Sequence, residues 1–116
     1  MSVEVLRGGK LIRDRIPELM RARGEEPGVQ TINGERLFNA LIAKLVEESE
    51  ELRSAATADQ IQELADMLEV IRALASHIGI DLQDLENVTA SKREERGGFT
   101  KGLWLEMQAG IDRTCL

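Results

Sequence analysis

The sequence predicts an all-α helical bundle built on a long antiparallel helical hairpin and assembled as an oligomer, and three observations carry that expectation. Two long stretches, from Glu35 to about Ala55 and from about Gln60 to His77, place apolar residues three and four apart, which is the period of one helix face. Only a few residues around Thr57 to Asp59 separate them, and so short a connection makes two helices antiparallel neighbours. Aromatic residues are 3% of a chain that is 42% hydrophobic, so the core is built of Leu, Ile, Val, Ala and Met, a composition suited to helices packed on helices.

Taken in order, the first dozen residues alternate loosely around Gly8-Gly9 and predict coil, at most a short strand or an extended arm. In Lys10-Leu11-Ile12-Arg13-Asp14-Arg15-Ile16-Pro17, Asp14 is a candidate cap and Pro17 fits the first turn of a helix to about Arg23. Gly24 to Gly34, with Pro27 and Asn33 and no apolar period, reads as a loop. The helix from Glu35 has one apolar face of Phe38, Leu41, Ile42, Leu45, Val46 and Leu52, with Ser49 on the same side. Thr57 or Asp59 is placed to cap the next helix, which Gly79 ends. That helix carries two adjacent stripes, one of Ile61, Leu64, Leu68, Ile71 and Ala75 and one of Met67, Val70, Leu74 and Ile78. An arc so wide in so short a chain predicts cover on two sides, by the core and by a neighbouring subunit. Asp81 is a candidate cap for a last helix to about Glu95, and Arg96-Gly97-Gly98-Phe99 marks a turn before an unassigned tail.

Length and charge bound the function. At 116 residues and 12.9 kDa the chain is read as one domain, 1–116. No apolar run reaches the ~20 residues of a membrane span and no signal-peptide pattern opens the chain, so a cytoplasmic protein is expected. Cys115, the one cysteine, excludes an intrachain disulfide framework and a cysteine-built zinc site. A net charge of −6 argues against a binder of nucleic-acid polymers. Glu35 to Glu86 holds twelve acidic and four basic residues, whereas the flanks together hold eleven basic and nine acidic. An acidic middle between basic flanks suits a divalent cation paired with a phosphate-bearing ligand, although a charge run is commonly only a solvated face.

The chemistry-bearing pattern is Glu47-Glu48-x-x-Glu51 on the first long helix and Glu63-x-x-Asp66 on the second. Residues three apart share a side of a helix. With the chain reversing at Thr57, Glu51 and Glu63 are each six residues from the turn and Glu48 and Asp66 each nine, so the carboxylates fall at matching depths. On a helical wheel Glu48 flanks the apolar stripe, Glu51 lies further round the same flank, and Glu63 borders the apolar arc of its own helix, while Asp66 fits less well and Glu50 falls on the opposite flank. Carboxylates so close repel one another, and a bound cation relieves the repulsion. Oxygen donors select Mg²⁺, Mn²⁺ or Ca²⁺. Acidic pairs at these spacings also occur on merely solvated faces, so spacing alone does not separate the two readings.

This carboxylate pattern resembles the all-α nucleoside triphosphate pyrophosphohydrolases of the MazG superfamily. Lys10-Leu11-Ile12-Arg13-Asp14-Arg15-Ile16-Pro17 and the late Lys92, Arg93 and Arg96-Gly97-Gly98-Phe99 are similar to its small single-domain house-cleaning branch, related to phosphoribosyl-ATP pyrophosphohydrolase. The resemblance covers residues 10 to 103 or so. It implies hydrolysis of a nucleoside triphosphate between the α- and β-phosphates, giving the monophosphate and pyrophosphate. By that analogy Glu48, Glu51, Glu63 and Asp66 coordinate Mg²⁺ (or Mn²⁺), and Glu47 is a further ligand or, with Glu48, part of the catalytic machinery that activates water. Lys10, Arg13, Arg15, Lys92, Arg93 and Arg96 are candidates for the substrate's phosphates, with Lys92 and Arg96 one helical turn apart. A homodimer or homotetramer is expected, with site residues supplied in part by a neighbouring subunit. His77 is assigned no catalytic role, its place near a helix C-terminus accounting for it, and Phe99 and Trp104 are read as packing residues before base-stacking ones. The competing readings are phosphoribosyl-ATP hydrolysis by the same carboxylates and a non-catalytic helical dimerisation module. The last would show no metal-dependent stabilisation.

Overall fold

The computed structural model describes residues 8–107, 109–114 and 116. Among these residues the regular structure is entirely helical: α1 (Ile16–Ala22), α2 (Gly34–Ser54), a 3₁₀ turn (Thr57–Asp59), α3 (Gln60–His77) and α4 (Leu82–Arg96). They fall into two compact units, one ending at Leu82 and the other beginning at Gln83. The expected opening arm lies partly outside the described residues, as does Cys115.

In the first unit, Pro17 occupies the first turn of α1, where its missing N–H costs nothing. Asp14 does not cap this helix. The capping position is taken by Arg15, whose carbonyl accepts from the Leu19 N–H at 3.0 Å. Gly24, at φ +84°, ends the turn, and the N–H groups of Gly24 and Glu25 close back on the carbonyls of Arg21 and Met20.

α2 and α3 pack on each other and form the body of the unit. The side chain of Leu41 from α2 and those of Val70 and Ala75 from α3 are buried, each large aliphatic group contributing roughly 1.5–3 kcal/mol. Near the start of α2 and the end of α3, the rings of Phe38 and His77 meet at 5.8 Å between centroids, so His77 has a packing contact as well as its helix-end position. α3 stops by a Schellman arrangement, in which Gly79 turns to φ +79° and Gly79 and Ile80 donate to the carbonyls of Ser76 and Ala75. Neither Thr57 nor Asp59 makes a side-chain cap to a helix N-terminus. The connection is instead a 3₁₀ turn.

The apolar faces are only partly covered. Of the two stripes on α3, Val70 and Ala75 are inside, whereas Ile61, Leu64 and Leu68 are 67%, 53% and 49% exposed. Ile42 and Val46 of α2, expected on the core face, are also exposed. A helical wheel gives the width of an apolar arc but not how much of it one partner helix covers.

The second unit contains most of α4, a strongly polar helix with no buried residue. It ends at Arg96, followed by Gly97 at φ +82°. Phe99, Leu103 and Trp104 are almost fully exposed, so the packing contacts expected for Phe99 and Trp104 are not seen among the described residues. Among the described residues, no helix is long and apolar enough to cross a membrane.

Candidate metal centre

The packing of α2 on α3 turns two linear spacings into one acidic cluster. Carboxylate oxygens of Glu47, Glu48 and Glu51 lie within 4.8 Å of one another, and so do those of Glu48, Glu63 and Asp66. Glu48 belongs to both trios and is 5% exposed, the single buried charged residue among those described. It sits two turns along α2 from buried Leu41, so the rotation that puts Leu41 into the helix interface carries Glu48 in as well. Glu50, between Glu48 and Glu51 in sequence, pairs instead with Arg53 at 3.4 Å.

The electrostatics are unbalanced at the centre and compensated at the rim. Glu48 Oε1 is 3.4 Å from Lys44 Nζ, which also reaches Glu47 at 3.6 Å. The second oxygen of Glu48 and Oε2 of Glu63 are shut off from solvent and have no hydrogen-bond partner among the described residues. Loss of hydration, reinforced by the neighbouring carboxyls of Glu51 and Glu48, pushes Glu63 up to about 7. At the rim, Lys10 Nζ is 2.7 Å from Glu47 Oε1 and Arg13 Nη2 is 2.6 Å from Asp66 Oδ1. The bond from Lys10 holds the Glu47 carboxyl below its usual range, and Glu47 in turn raises the Lys10 ammonium. A carboxyl pushed up beside one held down is the signature of a site with more negative charge at its centre than its fixed cations neutralise.

The donor set fits a hard divalent cation. Every group in it is a carboxylate oxygen, and two buried oxygens, one from each helix, stand without a partner. The basic residues named from the sequence separate into three groups. Lys10 and Arg13 reach the cluster. Arg15 pairs with Glu18 at 3.3 Å on α1 and does not. Lys92, Arg93 and Arg96 are exposed on α4 in the second unit. Lys44 was overlooked in the sequence, although its position three and four residues before Glu47 and Glu48 is the spacing that puts a cation beside them on a helix.

A helix pair with a buried carboxylate at the meeting point of two acidic trios defines a class, the all-α domains organised around an acidic centre. Within that class the chain belongs to the phosphoribosyl-ATP pyrophosphohydrolase family, which it matches over residues 14–93, and hence to the MazG-like all-α nucleoside triphosphate pyrophosphohydrolase superfamily. The match takes in α1, α2, α3 and most of α4, and every carboxylate of the cluster. It is also similar to an uncharacterised protein of Mycolicibacterium smegmatis, with 52% identity over 50 residues, which is 43% of this chain and 51% of the relative. The chain thus spans about half the length of that relative. No solved structure matches it. The family is one of pyrophosphohydrolases.

Proposed function

We propose that the chain hydrolyses a nucleoside triphosphate to the monophosphate and pyrophosphate with Mg²⁺, as a house-cleaning enzyme of the nucleotide pool. The observation that carries this reading is Glu48, a buried carboxylate shared by two trios, with one oxygen that has no partner. Burying a charge without a full set of partners is costly, and a site that tolerates the cost is built for a ligand that removes it. Glu48, Glu51, Glu63 and Asp66 would hold the ion, with Mn²⁺ as an alternative to Mg²⁺. The ion supplies Lewis acidity toward phosphoryl oxygens and acidifies water. Glu47 is exposed enough to meet water and is kept ionised by Lys10, which suits it to accept the proton of the attacking water. Glu63, whose carboxyl burial and its acidic neighbours push up to about 7, would be held as the carboxylate by such an ion.

The chain acts as a single domain whose chemistry lies in an antiparallel α2–α3 hairpin. Its exposed apolar stripe of Ile61, Leu64 and Leu68 is covered in a homodimer or homotetramer, since side chains of that size left open along a helix mark an interface. Lys92, Arg93 and Arg96 act on substrate phosphates.

The family match supports a second reading, in which the same carboxylates hydrolyse phosphoribosyl-ATP. Pyrophosphate release from common and damaged nucleoside triphosphates and from phosphoribosyl-ATP, with Mg²⁺ and with EDTA, tests both. Metal-dependent release from triphosphates upholds the first, and release from phosphoribosyl-ATP alone selects the second. No release from any of them removes both and leaves the non-catalytic module.

A further inference from the structure

The two cations that come from outside the helix pair divide themselves between the two trios. Lys10 and Arg13 precede α1 on a stretch without regular structure. Lys10 ends on Glu47, in the trio of Glu47, Glu48 and Glu51, and Arg13 ends on Asp66, in the trio of Glu48, Glu63 and Asp66. Each takes a rim member, and the buried oxygens of Glu48 and Glu63 are left without a partner. Lys44 differs in kind, because it is fixed on α2 one turn before its carboxylates and its side chain is only 21% exposed. The side chains of Lys10 and Arg13 are 62% and 57% exposed, and no helix restrains their stretch of chain.

A cation hydrogen-bonded to a carboxylate opposes a second cation there, both by repulsion and by using its oxygen. Binding events that share groups in this way are coupled reciprocally. Resting on the reading of the trios as a metal site, we propose that Lys10 and Arg13 form a cationic clamp that competes with the divalent ion for Glu47 and Asp66. When the ion binds, the clamp is released and transferred to the polyphosphate of the incoming nucleotide. The exchange conserves favourable charge pairing: the ion replaces two monovalent partners of the carboxylates, and the freed ammonium and guanidinium meet an anion that matches them. Metal and phosphate binding therefore reinforce each other, and Lys10 and Arg13 have opposite effects on the two ligands.

The test titrates the intact chain and its Lys10→Gln/Arg13→Gln variant with Mn²⁺, followed by electron paramagnetic resonance, and then titrates the Mn²⁺-loaded proteins with inorganic pyrophosphate by calorimetry. The variant is expected to bind Mn²⁺ roughly tenfold more tightly and pyrophosphate roughly tenfold more weakly, within the usual range for coupled sites. Loss of a merely structural contact would move both in the same direction. Lys10→Gln alone gives smaller changes of the same two signs, and Lys10→Arg/Arg13→Lys restores wild-type behaviour. Equal or weaker Mn²⁺ binding by the variant overturns the clamp while the metal site stands. Unchanged pyrophosphate binding overturns the transfer. Absence of Mn²⁺ binding by the wild-type chain overturns the metal reading, and the clamp falls with it.

Discussion

Replacing Glu48 by Gln separates the cost of the acidic centre from its use. Glu48 is 5% exposed, has one oxygen without a partner among the described residues and has like-charged groups of both trios within 4.8 Å. A pair of like charges at that distance repels by about 3 kcal/mol at an effective dielectric constant of 20, before solvent screening. Against this stands the attraction to Lys44 at 3.4 Å, but Lys44 keeps Glu47 as a partner after the substitution. The Gln amide is nearly the same shape and puts an N–H donor where an unpartnered oxygen stood, beside acceptors that need one. With the exposed members of the cluster discounted for screening, the variant is more stable without metal by roughly 1–2 kcal/mol. For a chain of this size that is a rise in Tm of roughly 3–10 °C. In the presence of Mg²⁺ the order reverses, because the wild type gains about 2.7 kcal/mol at a hundredfold excess over Kd and the variant gains almost nothing. Pyrophosphate release falls by about a hundredfold or more, the usual cost of removing one preorganised electrostatic group. Differential scanning fluorimetry at one protein concentration, with EDTA and with Mg²⁺, measures all but the last. A metal-free Gln variant that melts below wild type, or one that Mg²⁺ stabilises as much as wild type, would refute the reasoning.

Further predictions follow from the same geometry. The raised Glu63 carboxyl binds more protons in the folded than in the unfolded chain between about pH 4.5 and about 7, so its contribution to metal-free stability falls as pH rises through that window. Glu63→Gln removes this component from the pH dependence of Tm, and in wild type the Mg²⁺-induced shift in Tm grows from pH 5 to pH 7.5; a shift independent of pH would contradict the assignment. Leu41→Ala, at a buried site in the α2–α3 contact, costs about 2–4 kcal/mol in urea denaturation. Leu68→Glu puts a charge on the open stripe of α3 and lowers the mass seen by light scattering to that of the monomer, while a chain already monomeric as wild type would dispose of the assembly. Gly79→Ala, at φ +79°, destabilises by roughly 1 kcal/mol through backbone strain, without a change in Mg²⁺ affinity.

Local signals in the sequence were sufficient for the helices and for the acidic residues that share them. α3 runs from Gln60 to His77, the bounds its apolar period and Gly79 imply, and the wheel that set Glu48 at the edge of the α2 stripe agrees with its burial. The misses involve competition between partners. Asp14 has the chemistry of a cap, but Arg15 occupies the capping position. Ile42 and Val46 share the period of the core face, yet one partner helix covers only the arc around Leu41. The contacts of Lys10 with Glu47 and of Arg13 with Asp66 span more than thirty residues of chain, and no periodicity encodes a contact at that distance. Lys44, by contrast, is legible by spacing alone, three and four residues before Glu47 and Glu48.

The thinness of the interior has a consequence beyond the site. Among the described residues only Leu41, Val70, Ala75 and Glu48 are buried, so a group retained for chemistry occupies a large share of what holds the fold together. If Glu48 carries the ion, metal supply sets how long each molecule survives as well as how fast it works. In a cell short of that ion the unfolded fraction would rise and quality-control proteases would clear it, so the abundance of the protein would follow the availability of the ion without a dedicated regulator.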